Sequence, residues 1–144
     1  PNMSPGVNIT FKLLENAASF FTDEYDVEII ESHHRNKVDA PSGTALAMAK
    51  ILSSVKKNLI ESEYCFGRKG FTGTRKKNEI GFSVVRGGDI VGEHSVIFAG
   101  IGETIELTHK SSSRDSYSKG ALLAAKFLCE NTPGLYSMND VLSL

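Results

Sequence analysis

The chain has 144 residues, of which 40% are hydrophobic and 23% charged, and its net charge is −1 at pH 7. That length suits one domain with a sizeable core, and the near-neutral balance gives no global field for nucleic acid or a membrane surface. No apolar run approaches a membrane span and no signal peptide is visible, so the cytosol is the expected compartment, with Cys65 and Cys129 as free thiols.

The first six residues, PNMSPG, hold two prolines and a glycine and read as a loop. There is no Met at position 1, and the chain reads as a fragment of something longer. From Val7 to Phe21 the apolar positions Val7, Phe11, Leu14, Ala18 and Phe21 recur every three or four residues, which predicts a helix capped by Ser4 or Asn8. In DVEIIES (26–32), Val27 and Ile29 alternate with Asp26 and Glu28, the pattern of a strand. Ser42 then opens SGTALAMAKILSSV as the N-cap of a second helix, with Ala45, Met48, Ala49 and Leu52 along its apolar stripe. Residues 56–79 are polar, with GRKGFTGTRKK at 67–77, and read as a long mobile surface loop. Three strands follow at 80–86, 90–99 and 103–110. Arg86-Gly87-Gly88-Asp89 is expected as a hairpin turn between the first two and Gly100 and Gly102 bracket the next, giving an antiparallel meander. A last helix spans 114–131, with Tyr117, Ala121, Ala124 and Leu128 on one face. The apolar-rich tail LYSMNDVLSL is expected to dock on something outside this chain.

This order predicts an α+β domain: one mainly antiparallel, mixed sheet of about four strands covered by helices. The 26–32 strand is expected to make one parallel pairing through its crossover helix.

The densest chemistry is HHRNKVDAPSGTA (33–45), between the first strand and the second helix. A helix that starts Ser-Gly-Thr offers free backbone N–H groups and a positive dipole end, and Gly43 admits a ligand close to the backbone, so the site suits a carboxylate or phosphate. Arg35 and Lys37 add positive charge, and His33 and His34 can donate protons near neutral pH. Together they suit an anionic small molecule that is protonated in a reaction. The bland alternative is a solvated basic loop before a capped helix.

Metal binding is disfavoured, because adjacent histidines on an extended chain point to opposite faces and no H-x-H or H-x-x-x-H spacing occurs. His94 and His109 lie inside strands and are expected to be packed or hydrogen-bonded. The 67–77 run lacks the aromatic interleaving of a nucleic-acid surface and reads as a mobile charged loop or a subunit-contact arm. KSSSRDS (110–116) is a second anion-friendly corner, for which a plain N-cap is the simpler reading. Gly100-Ile101-Gly102 joins strand to strand, so it is no dinucleotide fingerprint.

The string ESHHRNKVDAPSGTA resembles the signature of the dihydrodipicolinate reductases: an acid near two histidines, two spaced residues, then Lys-x-Asp-Ala-Pro-Ser-Gly-Thr-Ala. PNMSPGVN looks like that family's linker out of its cofactor domain. TGTRKKNEIGFSVVRGGDIVGEHSVIF and THKSSSRDSYSKGA match later blocks, so the likeness covers the whole chain. The resemblance implies NADH- or NADPH-dependent reduction of a cyclic unsaturated dicarboxylate in lysine and diaminopimelate biosynthesis. It implies that residues 1–144 are the substrate-binding and tetramerisation domain of a homotetramer, with a Rossmann cofactor domain upstream. It assigns His33 as proton donor, Lys37 as catalytic lysine and His34 to a substrate carboxylate. Gly43 and Thr44, with the Ser42 helix start, would hold the other end of the substrate. Pro1, Asn2 and Met3 would lie at the nicotinamide side of the cofactor, and Arg114 near the cleft. No metal, nucleic acid or membrane partner is implied. The other reading of an isolated chain is a dicarboxylate-binding and assembly module without catalysis.

Overall fold

A computed structural model describes residues 2–144; Pro1, expected on the cofactor side, lies outside the described residues. In chain order the elements are α1 (Pro5–Phe20), β1 (Asp26–His33), α2 (Gly43–Val55), β2 (Tyr64–Cys65), β3 (Ile80–Arg86), β4 (Gly92–Ala99), β5 (Thr104–Ser111), α3 (Asp115–Glu130) and α4 (Met138–Leu142). The sheet order is β2-β3-β1-β4-β5. β1 pairs parallel with β3 and antiparallel with β4, β4 pairs antiparallel with β5, and β2 pairs parallel with β3. The expected α+β class and the parallel pairing of β1 through its crossover helix are both present.

Three expectations are corrected. First, the sheet has five strands rather than about four, because Tyr64–Cys65, inside the segment read as loop, pairs with Ile80 and Gly81. Second, β3 and β4 form no hairpin: β1 lies between them and fills the ladder edge of each. The Gly87-Gly88 turn spends its backbone on the end of β1 instead, with Gly87 N–H donating to His33 O (3.0 Å) and Arg35 N–H to Gly88 O (3.1 Å). Third, the basic run is pinned down. The Arg75 guanidinium donates to Glu28, Asp26 and the carbonyls of Val27 and Glu79, and Arg68 forks onto Glu28 and also pairs with Glu79.

Strict alternation places Val27, Ile29, Glu31 and His33 of β1 and Gly92, His94, Val96 and Phe98 of β4 on the buried side. The core beneath α1 and α2 includes Leu14, Ile29, Met48, Leu52, Ile80 and Phe98, all fully buried. Each such side chain contributes roughly 1.5–3 kcal/mol on transfer from water. Ser42 caps α2 as expected, accepting from Ala45 N–H at 3.2 Å. The tail helix α4 packs on α1 and α3 of the same chain. Among the described residues, no helix is long and apolar enough to cross a membrane.

Candidate active site

The sheet runs hydrophobic until its upper end, where β1 and β4 carry polar residues in core-facing positions. Glu31 and His33 follow Val27 and Ile29 on the inward face of β1, and His94 faces them from β4. The chain then crosses the loop 34–41 and enters α2 at Ser42. This brings the C-terminal end of β1 and the N-terminal end of α2 to one place.

A cleft of about 290 Å³ opens there. Of the expected site residues it is lined by His33, His34, Lys37, Ser42, Gly43, Thr44 and Asn2, with Arg114 from the start of α3. Met3 lies outside it, in an adjoining shallow depression of about 470 Å³ bordered by Asn2, Tyr117, Ser118 and Ala121. Asn2 links the two, its amide donating to Thr44 Oγ1 at 3.3 Å. A larger groove, about 700 Å³, runs between α1, α2 and the segment entering α4. It holds neither His33 nor Lys37.

His33 is 8% exposed. Its Nδ1 lies 2.5 Å from Glu31 Oε2, and its Nε2 lies on the side of Gly92. Burial pushes its pKa below the ordinary histidine value; the Glu31 carboxylate opposes that shift, and Lys37 and Arg86 add to it. Glu31 is fully buried. Burial alone would raise its pKa, yet hydrogen bonds from Arg86, His33 and the Ser42 N–H hold it below the usual carboxylate range. Arg86 supplies a two-pronged fork at 2.8 Å to each oxygen, and Ser42 N–H donates to Oε1 at 3.0 Å.

Lys37 closes a turn, its N–H donating to His34 O at 3.1 Å, and its ammonium pairs with the half-exposed Asp39 at 2.7 Å. Ser42 is 2% exposed, and its hydroxyl is engaged inside the protein: it accepts from Ala45 N–H and lies 2.9 Å from His94 Nε2. Gly43 is exposed, and a methyl group there would meet nothing within 4 Å, so the helix start is open to the cleft.

Four participants were missed from the sequence. His94, whose ring lies edge-on to that of His33 at 5.0 Å, is brought in by strand register. Burial lowers its pKa to about 4, so it is neutral at pH 7. Tyr117, read as part of an apolar helix face, lines the cleft when α3 docks. Arg86, read as a turn residue, reaches Glu31 across the β1–β3 pair. Glu31 alone carried a local signal: it continues the inward phase of Val27 and Ile29. Among the described residues, no group of three or more His, Cys, Asp or Glu side chains is arranged to hold a metal ion.

The family described as "Dihydrodipicolinate reductase, C-terminus" matches residues 6–142. The chain belongs to that family. It is 56% identical over 144 residues to the 4-hydroxy-tetrahydrodipicolinate reductase of Janthinobacterium sp. (strain Marseille), covering 100% of this chain and 54% of the relative. It is 59% identical over 143 residues to the Burkholderia ambifaria (strain MC40-6) protein of the same name, covering 99% of the chain and 54% of the relative. The fold is similar to a dipicolinate-bound dihydrodipicolinate reductase from Paenisporosarcina sp. TG-14, with TM-score 0.72 and 28% identity over 97% of this chain and 52% of that one. The chain thus spans about half the length of the reductases it matches.

Proposed function

We propose that this chain is the substrate-binding and tetramerisation half of a cytoplasmic 4-hydroxy-tetrahydrodipicolinate reductase. The reaction is NADPH- or NADH-dependent reduction to tetrahydrodipicolinate in lysine and diaminopimelate biosynthesis. One observation carries the reading. A buried histidine backed by a carboxylate, a second histidine, a lysine and an open helix start converge on one cleft. The dipicolinate-bound relative supports a cyclic dicarboxylate as the occupant.

The reduction places a hydride on one carbon of a conjugated C=C–C=N system and a proton on its neighbour. The nicotinamide supplies the hydride when bound. What these residues supply is the proton and the grip. His33 delivers the proton from Nε2, with Lys37 beside it lowering the cost of charge that develops on the substrate. His34 holds one carboxylate. Gly43 and Thr44, at the start of α2, hold the other with N–H groups and a hydroxyl that no preceding turn uses, and Ser42 keeps that start in shape through its cap.

The fit to a nicotinamide cofactor is partial. Asn2 and Tyr117 in the cleft and Met3 in the adjoining depression offer an amide, a phenol and a thioether, which suits the flat reactive ring. The described residues contain no glycine-rich strand-to-helix turn for a pyrophosphate. The rest of the cofactor is therefore assigned to a Rossmann domain outside these residues. Self-association as a homotetramer is supported by the outer face of the sheet, where Ile30 and Val85 are exposed.

Full-length Lys37→Ala is expected to lose ~10²-fold or more in kcat while its subunits still assemble. Near wild-type turnover would show that Lys37 has no catalytic role. Calorimetry of the 144-residue chain with pyridine-2,6-dicarboxylate and with NADPH tests the division of labour. The dicarboxylate should bind and NADPH should not; tight NADPH binding would contradict the division.

A further inference from the structure

Glu31 is 1% exposed, the most deeply buried carboxylate among the described residues. A charge in that position costs several kcal/mol unless it is fully paired. The Arg86 fork satisfies that requirement at both oxygens. The two further bonds do something else. One runs to Nδ1 of the proton donor, and the other to the N–H of Ser42, where the carboxylate-gripping helix begins. One side chain therefore touches both working parts of the cleft, and strand alternation is what places it there, two residues before His33 on the same face.

We propose that Glu31 is a positioning residue for the reductase reaction: it holds His33 with Nδ1 protonated and turned inward, presents Nε2 to the cleft, and sets the spacing between that nitrogen and the start of α2. This role rests on the reductase reading above. The proton leaves the Nε2 of imidazolium for the substrate carbon next to the one that takes the hydride. The ring remains as a neutral Nδ1–H imidazole bonded to Glu31, and Nε2 regains its proton from solvent. Glu31 itself stays ionised throughout, because the Arg86 fork and the Ser42 N–H stabilise only the carboxylate. Arg86 extends the same control to the lysine, since it also donates to Asp39 O at 2.7 Å and Asp39 pairs with Lys37.

The groups facing His33 are Glu31 from β1, Arg86 from β3, Lys37 from the following loop, neutral His94 from β4 and Tyr117 from α3, beside Gly92. Glu31 is the anion of this set, so its removal lowers the pH at which His33 gives up its proton.

Histidine-selective nitrogen NMR of the unmodified 144-residue chain reads the tautomer without any variant. Above the titration of His33, Nδ1 should carry the proton and Nε2 should not. In the full-length enzyme, Glu31→Gln is expected to lower kcat ~10²-fold with KM within about threefold, and to move the alkaline limb of kcat down by about one pH unit. A structural role alone would lower thermal stability without moving that limb. A wild-type His33 protonated on Nε2 overturns the role, even if Glu31→Gln fails to fold. So does a folded Glu31→Gln enzyme with kcat and pH profile within about twofold of wild type. No turnover by the wild-type full-length protein would overturn the reductase reading and this role with it. Turnover with the wrong tautomer would overturn this role alone.

Discussion

Gly92 matters for its missing side chain. A methyl group built there would stand 3.2 Å from His33 Nε2 and 3.4 Å from Cδ2. Those distances ask the ring to give by a few tenths of an ångström, and Glu31 on its far side limits how far it can move. On the proton-donor role proposed for His33, Gly92→Ala is therefore expected to keep the fold but cost ~10-fold in kcat of the full-length protein, since sub-ångström misplacement of a reacting group is felt in the rate. Parallel thermal melts and steady-state kinetics check this; a melt that collapses along with activity would count against it. The residues of the cleft divide by how they were found. His33, Lys37, Ser42, Gly43 and Thr44 lie within one short stretch, so a local motif could name them. Glu31 was available to the same reading, as an acid in the inward phase of a strand. His94 and Tyr117 were not, because cross-strand register and helix docking bring them in. Ser42 came out differently in kind: its hydroxyl and its N–H are spent on Ala45, His94 and Glu31, so it shapes the grip from within.

At the level of elements, Glu28 is the carboxylate shared by both arginines that tie the segment between α2 and β3 to the sheet. Glu28 accepts from Arg68 at 2.8 and 3.0 Å and from Arg75 Nε at 2.9 Å. Burial opposes its charge, but the two guanidinium groups outweigh that and hold its pKa below the ordinary value. Its neighbour across the β1–β3 ladder is Gly81, and a methyl group there would lie 2.0 Å from Glu28 Oε2. Gly81→Ala must therefore push Glu28 out of its clamp. We expect a loss of about 1–3 kcal/mol and faster trypsin cleavage at Arg68 and Arg75, read by limited digestion of folded protein. Unchanged cleavage would mean that the clamp does not order the segment. From the sequence this run looked mobile, because Glu28 and Asp26 are remote in sequence and nothing local announces an ion pair. The β3–β4 hairpin failed for a related reason. A Gly-Gly turn is a strong local signal, but α2 returns the chain parallel to β1, and the slot beside β1 on that side is the one β3 takes. The three long helices, by contrast, were legible, since their periodicity is local; the short α4 was read only as an apolar tail, and Ser4 stands at the start of α1 without a side-chain cap bond.

Across the whole molecule, the polar end of the core makes stability depend on pH in one direction. His94 titrates at about 4 in the fold, chiefly because it is buried and also because His33 is near; its ordinary value is 6.5. His33 and His109 are likewise lowered by burial. A group with a lowered pKa binds its proton in the unfolded chain first. Between pH 6.5 and 4 the unfolded state therefore holds more protons, and stability falls as pH falls. For His94 alone, a drop from 6.5 to about 4 corresponds to about 3 kcal/mol. Below that window Glu28 and Glu31, both held below the usual carboxylate range, continue the loss as they protonate. Urea midpoints at pH 7, 6, 5 and 4 should thus decline steadily for the wild-type chain. His94→Gln keeps an amide in reach of Ser42 Oγ but cannot titrate. It should be less stable than wild type at pH 7 and should lose about 3 kcal/mol less between pH 7 and pH 4. Its residual slope reports His33 and His109, which act with the same sign. Parallel acid slopes in the two proteins would show that His94 is not the buried neutral histidine that the Ser42 contact and the surrounding core make it.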